Sequence, residues 1–340
     1  MHPHIVPLEN LSELVTLLTE KHDVFGPVRG PDGAVRFQKI VHAPDVEWNY
    51  TGSLLPPKKY FLPVTEILYK FKDGRRSPEI VTPEPVVLLG VHACDLHAFR
   101  RLDQAMSDGV QDGHYLKRRE NTIMVAVNCM PDEFCFCRTM ATSNLPPHSA
   151  DVFLTLLNRR VYVEPLTERG VHLIHNLSGK ERISIEEMKS REKFQKDREL
   201  TLDSRESDPN QWAQMFHNGN GVWKTLSERC VSCSACTAVC PTCFCFDVRD
   251  ESNLDGSEGA RIRRWDSCQV REFTRIGSGE VFRKGRLERV RHRFLRKFVY
   301  LKKRYGEYFC VGCGRCGRAC PVNIRIPQVA DDLVQSASLK

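Results

Sequence analysis

Two stretches of this chain repeat one arrangement of thiols. They are Cys230-x2-Cys233-x2-Cys236-x3-Cys240-Pro241 and, 80 residues later, Cys310-x2-Cys313-x2-Cys316-x3-Cys320-Pro321. Three thiolates within seven residues can wrap a corner of a four-iron four-sulfur cubane, while the fourth, followed by proline, points away toward a neighbouring cluster. The spacing therefore assigns one cluster to Cys230, Cys233, Cys236 and Cys320 and the other to Cys310, Cys313, Cys316 and Cys240. Ser234, Ala235, Gly312, Gly314 and Gly317 fit a backbone that must come close to inorganic sulfide. Zinc is the competing use of such thiols. Zinc ribbons take two C-x2-C pairs across a long spacer, not three cysteines at successive x2 spacing, and give the proline no role.

Seven cysteines remain. Cys94, Cys129, Cys135 and Cys137 lie early in the chain. Cys94 follows the apolar run Val86–Val91, and Cys129 follows the apolar run 123–127, with Cys135-Phe136-Cys137 shortly after. If the two runs are parallel neighbours in a sheet, all four thiols meet at its carboxyl edge, where α/β sheets bind ligands. A third iron–sulfur cluster is the sharper expectation; the plainer one is four small buried hydrophobes. His92 and His97 bracket Cys94 and are read as structural, since Cys94 already has three thiol companions. Cys243, Cys245 and Cys268 have no evident partner set and are read as packing residues beside a cluster pocket. The run Gly312-Cys313-Gly314-Arg315-Cys316-Gly317 matches a dinucleotide fingerprint. It is set aside, because two of its positions are cluster cysteines and no strand precedes it. No Walker motif and no other glycine fingerprint occurs, so the chain is not expected to bind flavin or nucleotide.

The elements that must hold these residues divide the chain near residue 220. Residues 1–220 read as an α/β domain with a mixed sheet. Its apolar runs suit strands buried on both faces, residues 152–157 and 161–163 are shorter strands, and residues 95–106 show helical spacing of Leu96, Phe99 and Leu102. Residues 178–220 are a polar helical linker. Ser184 and Glu187 form a capping box there, and Asp208-Pro209 opens a helix whose face carries Trp212, Met215 and Phe216 and which ends at Gly219. Residues 221–340 read as a mainly helical two-cluster, ferredoxin-like domain. Between its motifs lie a loop (250–259) and a basic helical stretch.

Composition narrows the class. With 41% hydrophobic and 27% charged residues the chain is globular. Its longest apolar run is far short of the roughly 20 residues of a membrane span. The amino terminus lacks the basic start and apolar run of a signal peptide, so a soluble, cytoplasmic protein is expected. Of fifteen cysteines, eleven fall in residues 221–340, which in a large cytoplasmic chain indicates cluster ligation rather than a disulfide scaffold. The formal charge of +7 is concentrated. Residues 261–304 hold sixteen Lys or Arg against four Asp or Glu, leaving the remainder acidic. Nucleic acid is an unlikely partner for this block, which lies inside one cluster framework. Cations there would raise the reduction potential of the anionic clusters or dock an acidic partner subunit.

Several stretches carry a family resemblance: 223–230, Cys240-Pro241-Thr242-Cys243-Phe244-Cys245, Arg263-Arg264-Trp265-Asp266-Ser267-Cys268, and 310–324. Cys94-Asp95-Leu96, Arg118-Arg119-Glu120-Asn121-Thr122 and Cys135-Phe136-Cys137 match as well. The chain resembles the iron–sulfur β subunits of soluble cytoplasmic nickel–iron hydrogenases of the sulfhydrogenase type. The A subunit of anaerobic sulfite reductase is similar and is the alternative within the class. The resemblance covers about residues 85–325. The chain departs from the group at Arg138–Ser143 after the Cys135 loop and at His92-Ala93. It implies a larger complex in which a flavin subunit exchanges electrons with NAD(P)H and this chain relays them singly to or from a catalytic subunit. A rival from another class is a reductase acting at the early cysteine site itself. No nucleophile, general base or open metal site for independent turnover is evident in the sequence.

Overall fold

Val86–Val91 and Thr122–Val127 are apolar at nearly every position because both faces of their sheet are covered. The computed structural model describes residues 2–78, 84–202, 208–218 and 221–338. β1 (His4–Pro7), α1 (Asn10–Thr19), β2 (Asp23–Arg29), β3 (Val35–Lys39), β4 (Thr65–Lys72) and β5 (Arg75–Pro78) precede the first apolar strand, β6 (Val86–Val91). There follow α2 (Ala93–Ser107), α3 (Gly113–Glu120), β7 (Thr122–Val127), β8 (Val152–Leu157), β9 (Arg160–Pro165), α4 (Glu168–Leu173) and α5 (Ile185–Thr201). A seven-stranded sheet runs β1-β9-β8-β7-β6-β2-β3. Its centre, β2, β6, β7 and β8, is parallel, and β1, β9 and β3 are antiparallel to their neighbours.

Alternation along the strands divides the core. Val87, Leu89, Ile123 and Val125 face α1 through Leu14, Val15 and Leu18. Leu88, Met124 and Ala126 face α2 and α3 through Leu96, Phe99 and Tyr115. The sheet register shifts at Gly90, which has φ +76°; a Cβ there would meet Pro27 Cδ at 3.0 Å. The kink ends β6 and turns the chain into His92, Ala93 and Cys94.

The linker is helical. Ser184 and Glu187 close a reciprocal cap, with Ser184 N donating to Glu187 Oε2 (2.8 Å) and Glu187 N to Ser184 Oγ (3.2 Å). Helix α6 (Pro209–Asn218) buries Trp212 and Phe216. The expected stop at Gly219 lies outside the described residues. The remaining elements are α7 (Val222–Arg229), α8 (Ala235–Ala238), β10 (Phe246–Ser252), β11 (Glu258–Trp265) and α9 (Arg286–Leu295). A π-helical turn (Arg296–Tyr300), α10 (Leu301–Tyr305), α11 (Arg315–Arg318) and α12 (Ile326–Ser338) complete the chain. An aromatic core joins the helices: the Phe216 ring lies 4.9 Å from Phe298 and 5.1 Å from Phe294, and Trp223 lies 5.3 Å from Phe294.

The insert between the two motifs differs from expectation. The expected loop at 250–259 narrows to the turn 253–257, its flanks being strand, and residues 261–265 are strand rather than helix. They belong to the hairpin β10–β11, which pairs with β4 and β5 in a four-stranded antiparallel sheet ordered β10-β11-β4-β5. Two strands of this sheet come from each side of residue 220. The hairpin escapes an apolar-alternation reading because charges staple it. Asp250 and Arg261 are directly paired across the strands, with Arg261 Nη2 to Asp250 Oδ2 at 2.6 Å, and Arg264 reaches Glu251 at 2.7 Å. Arg263 is buried against Glu66 of β4 and Asp112, and Arg118 joins Glu66 at 2.7 Å. No helix among the described residues is long and apolar enough to cross a membrane.

Candidate iron–sulfur centres

Each motif runs through the same backbone path: two left-handed residues, then a single helical turn (α8 or α11). In the first, Ser232 and Ser234 have φ +55° and +67°; in the second, Gly312 and Gly314 have φ +62° and +70°. Serine therefore tolerates this path in one motif while the other uses glycine. The reason is a neighbour. A Cβ on Gly312 would lie 2.5 Å from the Phe136 carbonyl carbon, and one on Gly314 would lie 2.7 Å from that of Phe134. The loop carrying Cys135 and Cys137 lies directly on the second motif. Phe136 N donates to the Gly312 carbonyl at 2.8 Å, and Thr142 Oγ1 to the Val311 carbonyl at 2.7 Å. The expectation that Gly312 and Gly314 serve approach to sulfide is thus joined by a second cause, the docking of this loop. Gly314→Ser is expected to cost about 2 kcal/mol or more, from overpacking against a fixed backbone. Ser234→Gly should stay within about 1 kcal/mol. Thermal midpoints of the two variants, with proteolysis at the 134–137 loop, check the difference.

The thiols of the first set converge. Cys230, Cys233 and Cys236 line one small cavity together with Cys320 from the other motif, under Arg293 and Phe294. Main-chain donors already face two of them: Ser232 N to Cys230 Sγ at 3.4 Å, and Ile324 N to Cys320 Sγ at 3.2 Å. In the second set, burial raises the thiol pKa of Cys310, with Cys316, Cys240 and Cys313 as its charged neighbours. Burial pushes Cys313 up to about 11, with Cys240 and Cys316 adjoining. Cys240 thus acts electrostatically on thiols of both motifs, since Cys236, pushed up to about 11 by burial, feels Cys316, Cys230 and Cys240. No three His, Cys, Asp or Glu side chains among the described residues gather as ligands of a single ion. The eight thiols fit cubane ligation in chemistry: soft sulfur donors, most of them partly or fully buried, with main-chain donors facing Cys230 and Cys320. Buried thiols must lose protons to bind metal, so loading would release them.

The basic block turns much of its charge inward. Arg289, Arg293 and Lys297 recur every four residues along α9 and the π-helical turn, and all three are buried. Burial alone would lower the Arg293 and Lys297 pKa values. Cys236, Cys316 and Cys240 outweigh it at Arg293, and Cys240, Cys243 and Cys310 outweigh it at Lys297, so both stand above their usual range. Lys297 Nζ also donates to Thr242 Oγ1 at 2.7 Å. Lys58, from the early part of the chain, enters the same region; it hydrogen-bonds the Cys243 carbonyl and is pushed down to about 8 by burial. Arg263 is buried too. A nucleic-acid-binding stripe would present such residues to solvent.

Cys243, Cys245 and Cys268 are buried beside these sets, as packing residues would be. Cys243 hydrogen-bonds Cys240, and Cys245 hydrogen-bonds Cys268. Sequence reasoning found no partner for them because Cys268 returns through the hairpin.

The early cysteines also approach one another. Cys94 stands in the first turn of α2, Cys129 two residues beyond β7, and Cys135 and Cys137 on the docked loop. Burial raises all four thiol pKa values. Cys94 adjoins Cys129, Cys129 adjoins Cys137, and Cys137 adjoins Cys135. Cys94 also adjoins Cys313, so this group borders the second motif. Three arginines attend it. Arg315 makes a fully buried two-pronged pair with Asp95 at 2.7 and 2.8 Å. Arg318 binds Asp132 at 2.6 Å and donates to Cys135 Sγ at 3.2 Å. Arg198, whose Nη2 donates to the Ser143 carbonyl, lowers the Cys129 thiol pKa against the effect of burial. His92 is buried and stacked on Tyr50, with ring centroids 4.0 Å apart; burial, then Arg315, Arg198 and Arg318, pushes it down to about 3, so it is neutral. His97 meets the Asn144 carbonyl at 2.9 Å, in keeping with a structural role. None of these arginines was visible as a site residue in the sequence. Arg315 lies inside the second motif, and only its burial shows that it faces Asp95.

The fold and these thiols define an iron–sulfur protein: residues 229–324 match the 4Fe-4S dicluster domain family. Over nearly its whole length the chain is similar to sulfhydrogenase 2 subunit beta of Pyrococcus furiosus, 32% identical over 328 residues, which is 96% of each chain. The chain belongs to this family of iron–sulfur, hydrogenase β-type subunits. No solved structure matches it.

Proposed function

We propose that the chain is a cytoplasmic electron-transfer subunit, relaying single electrons between a flavin- and NAD(P)H-linked partner and a hydrogenase-type catalytic subunit. One 4Fe-4S cluster would be held by Cys230, Cys233, Cys236 and Cys320, a second by Cys310, Cys313, Cys316 and Cys240, and a third by Cys94, Cys129, Cys135 and Cys137. Bound clusters supply one-electron carriers; the chain keeps them dry, fixes their order and surrounds them with cations. The observation that carries the reading is the cavity in which three thiols of the first motif meet Cys320 of the second. The docking of the Cys135 loop on the second motif, with Phe136 N donating to the Gly312 carbonyl, supports an order in which the second cluster lies between the first and the third. The proposed division near residue 220 separates the two motifs from the early thiol group, with β10–β11 as the tie across it.

Iron and acid-labile sulfide counted on the anaerobically purified chain test this. About twelve of each per chain is expected; about eight would remove the third cluster, and zinc in place of iron would overturn the reading. Cys320→Ala should remove the spectroscopic signature of the cluster on Cys230, Cys233 and Cys236 and spare the one shared by Cys310, Cys313 and Cys316. Loss of the latter instead would sink the crossed ligand sets. Supplied with an artificial electron donor, the isolated chain should pass electrons to dyes without turning over a substrate of its own.

A further inference from the structure

A cavity of about 450 Å³ lies beside the early thiol group; it shares Cys129 with the proposed third cluster, and its other walls lie outside the proposed relay. Its floor is the carboxyl end of β7, from Val127 to Asn128 and Cys129 just beyond it, and the adjoining face of β8 with Phe153 and Thr155. Ala93, the first residue of the fifteen-residue helix α2, adds the positive end of a helix whose N-cap makes no side-chain hydrogen bond. The roof is α5, which turns Arg191, Phe194, Gln195 and Arg198 toward the sheet at helical spacing. Leu145 and Pro146 close one side.

Among the described residues, three side-chain atoms in this cavity lack hydrogen-bond partners, Thr155 Oγ1, Arg191 Nε and Arg198 Nε, while Nη2 of Arg198 donates to the Ser143 carbonyl. Thr155 is 2% exposed, and its Oγ1 makes no hydrogen bond among the described residues. Arg198 is 7% exposed, and its Nε is likewise without an acceptor. Burying such groups unpaired costs free energy, and native interiors seldom leave them so. The charges are also unbalanced. Arg191 is matched by Glu164 at 2.7 Å, whereas the carboxylate paired with Arg198 is Glu199 at 3.9 Å, on the same helix. The remaining walls are largely apolar. A volume of this size, apolar walls and a few convergent polar groups are the marks of a small-molecule site, and its place at the carboxyl edge of a parallel sheet is where such sites form.

We infer that this cavity binds a small organic anion, a carboxylate or sulfonate on an apolar body. The anionic group would sit against Arg198, Thr155 and the start of α2, and the apolar body between Phe153, Leu145 and Phe194. The inference does not require Cys129 to hold a cluster, so the iron count and this test can fail separately.

Calorimetric titration of the whole anaerobically purified chain with 2-naphthoate and with neutral 2-naphthalenemethanol tests it. One naphthoate per chain is expected, bound roughly tenfold to a hundredfold tighter than the alcohol, the range of one charge-assisted hydrogen bond. Arg198→Met should erase that preference. Phe194→Trp fills the cavity from its half-buried side, leaves Arg198 in place, and should weaken both probes by about tenfold or more. Absence of naphthoate binding, equal affinity for the alcohol, or undiminished binding by Phe194→Trp would each overturn the site.

Discussion

Asp95→Asn is expected to destabilise the protein by about 3 kcal/mol, and Arg315→Met by a similar amount, because each leaves one member of a buried ion pair without its counter-charge. The pair is an extreme case: side-chain exposures are 0% for Asp95 and 3% for Arg315. Arg315 also donates through Nε to the Ser53 carbonyl at 3.1 Å, so it ties three separate stretches of chain. Asp95 occupies the first turn of α2, where its charge opposes the helix dipole favourably even without the arginine. The double variant should therefore cost less than the sum of the single ones, by about 1–3 kcal/mol. Urea midpoints followed by far-ultraviolet circular dichroism decide this. Strict additivity would mean that the two side chains are not coupled. Because Arg315 stands between Cys313 and Cys316 and Asp95 follows Cys94, the pair also fixes the spacing of two thiol groups.

Lys297→Met should lower the midpoint potential of the cluster proposed on Cys240, Cys310, Cys313 and Cys316 by on the order of 100 mV. Reduction adds negative charge to an already anionic group, and a buried cation stabilises the reduced form more. One unit charge at about 6 Å, with an effective dielectric of about 20, is worth about 3 kcal/mol, which for one electron is about 120 mV. Methionine keeps the stem's volume and loses only the charge and the hydrogen bond to Thr242. A redox titration followed by paramagnetic resonance measures the shift, and iron content confirms loading. A potential unchanged by Lys297→Met would show that the inward cations serve packing alone. The same substitution at the exposed Lys303 should move the potential little, since solvent screens it.

Much of the fold could be read from residue patterns. The runs at 86–91 and 123–127 form central parallel strands because nothing polar interrupts either face. Ser184 and Glu187 cap α5 as their spacing requires. The hairpin could not be read, because its apolar alternation is short (Phe246 and Val248, Ala260 and Ile262) amid dense charge, and its partner, β4, lies almost 200 residues away in sequence. The cation row was half legible. The density of Lys and Arg showed a basic block, while the four-residue recurrence of Arg289, Arg293 and Lys297 identifies the inward side only once the helix direction is known. The contrast of Ser232 and Ser234 with Gly312 and Gly314 was present in the sequence. Its meaning required the Phe134–Phe136 backbone lying on one motif and not the other.

The sheet that joins β4 and β5 to β10 and β11 has a mechanical consequence. The segment between the two cysteine motifs is woven into the other half of the molecule through β11, which pairs with β4, and the Cys135 loop is laid against the second motif. With two such ties, neither half can act as a swinging arm that ferries charge between distant docking points. Electron steps inside the chain should then proceed at fixed separation and be indifferent to solvent viscosity, leaving encounter with partner proteins as the step that thickened solvent slows.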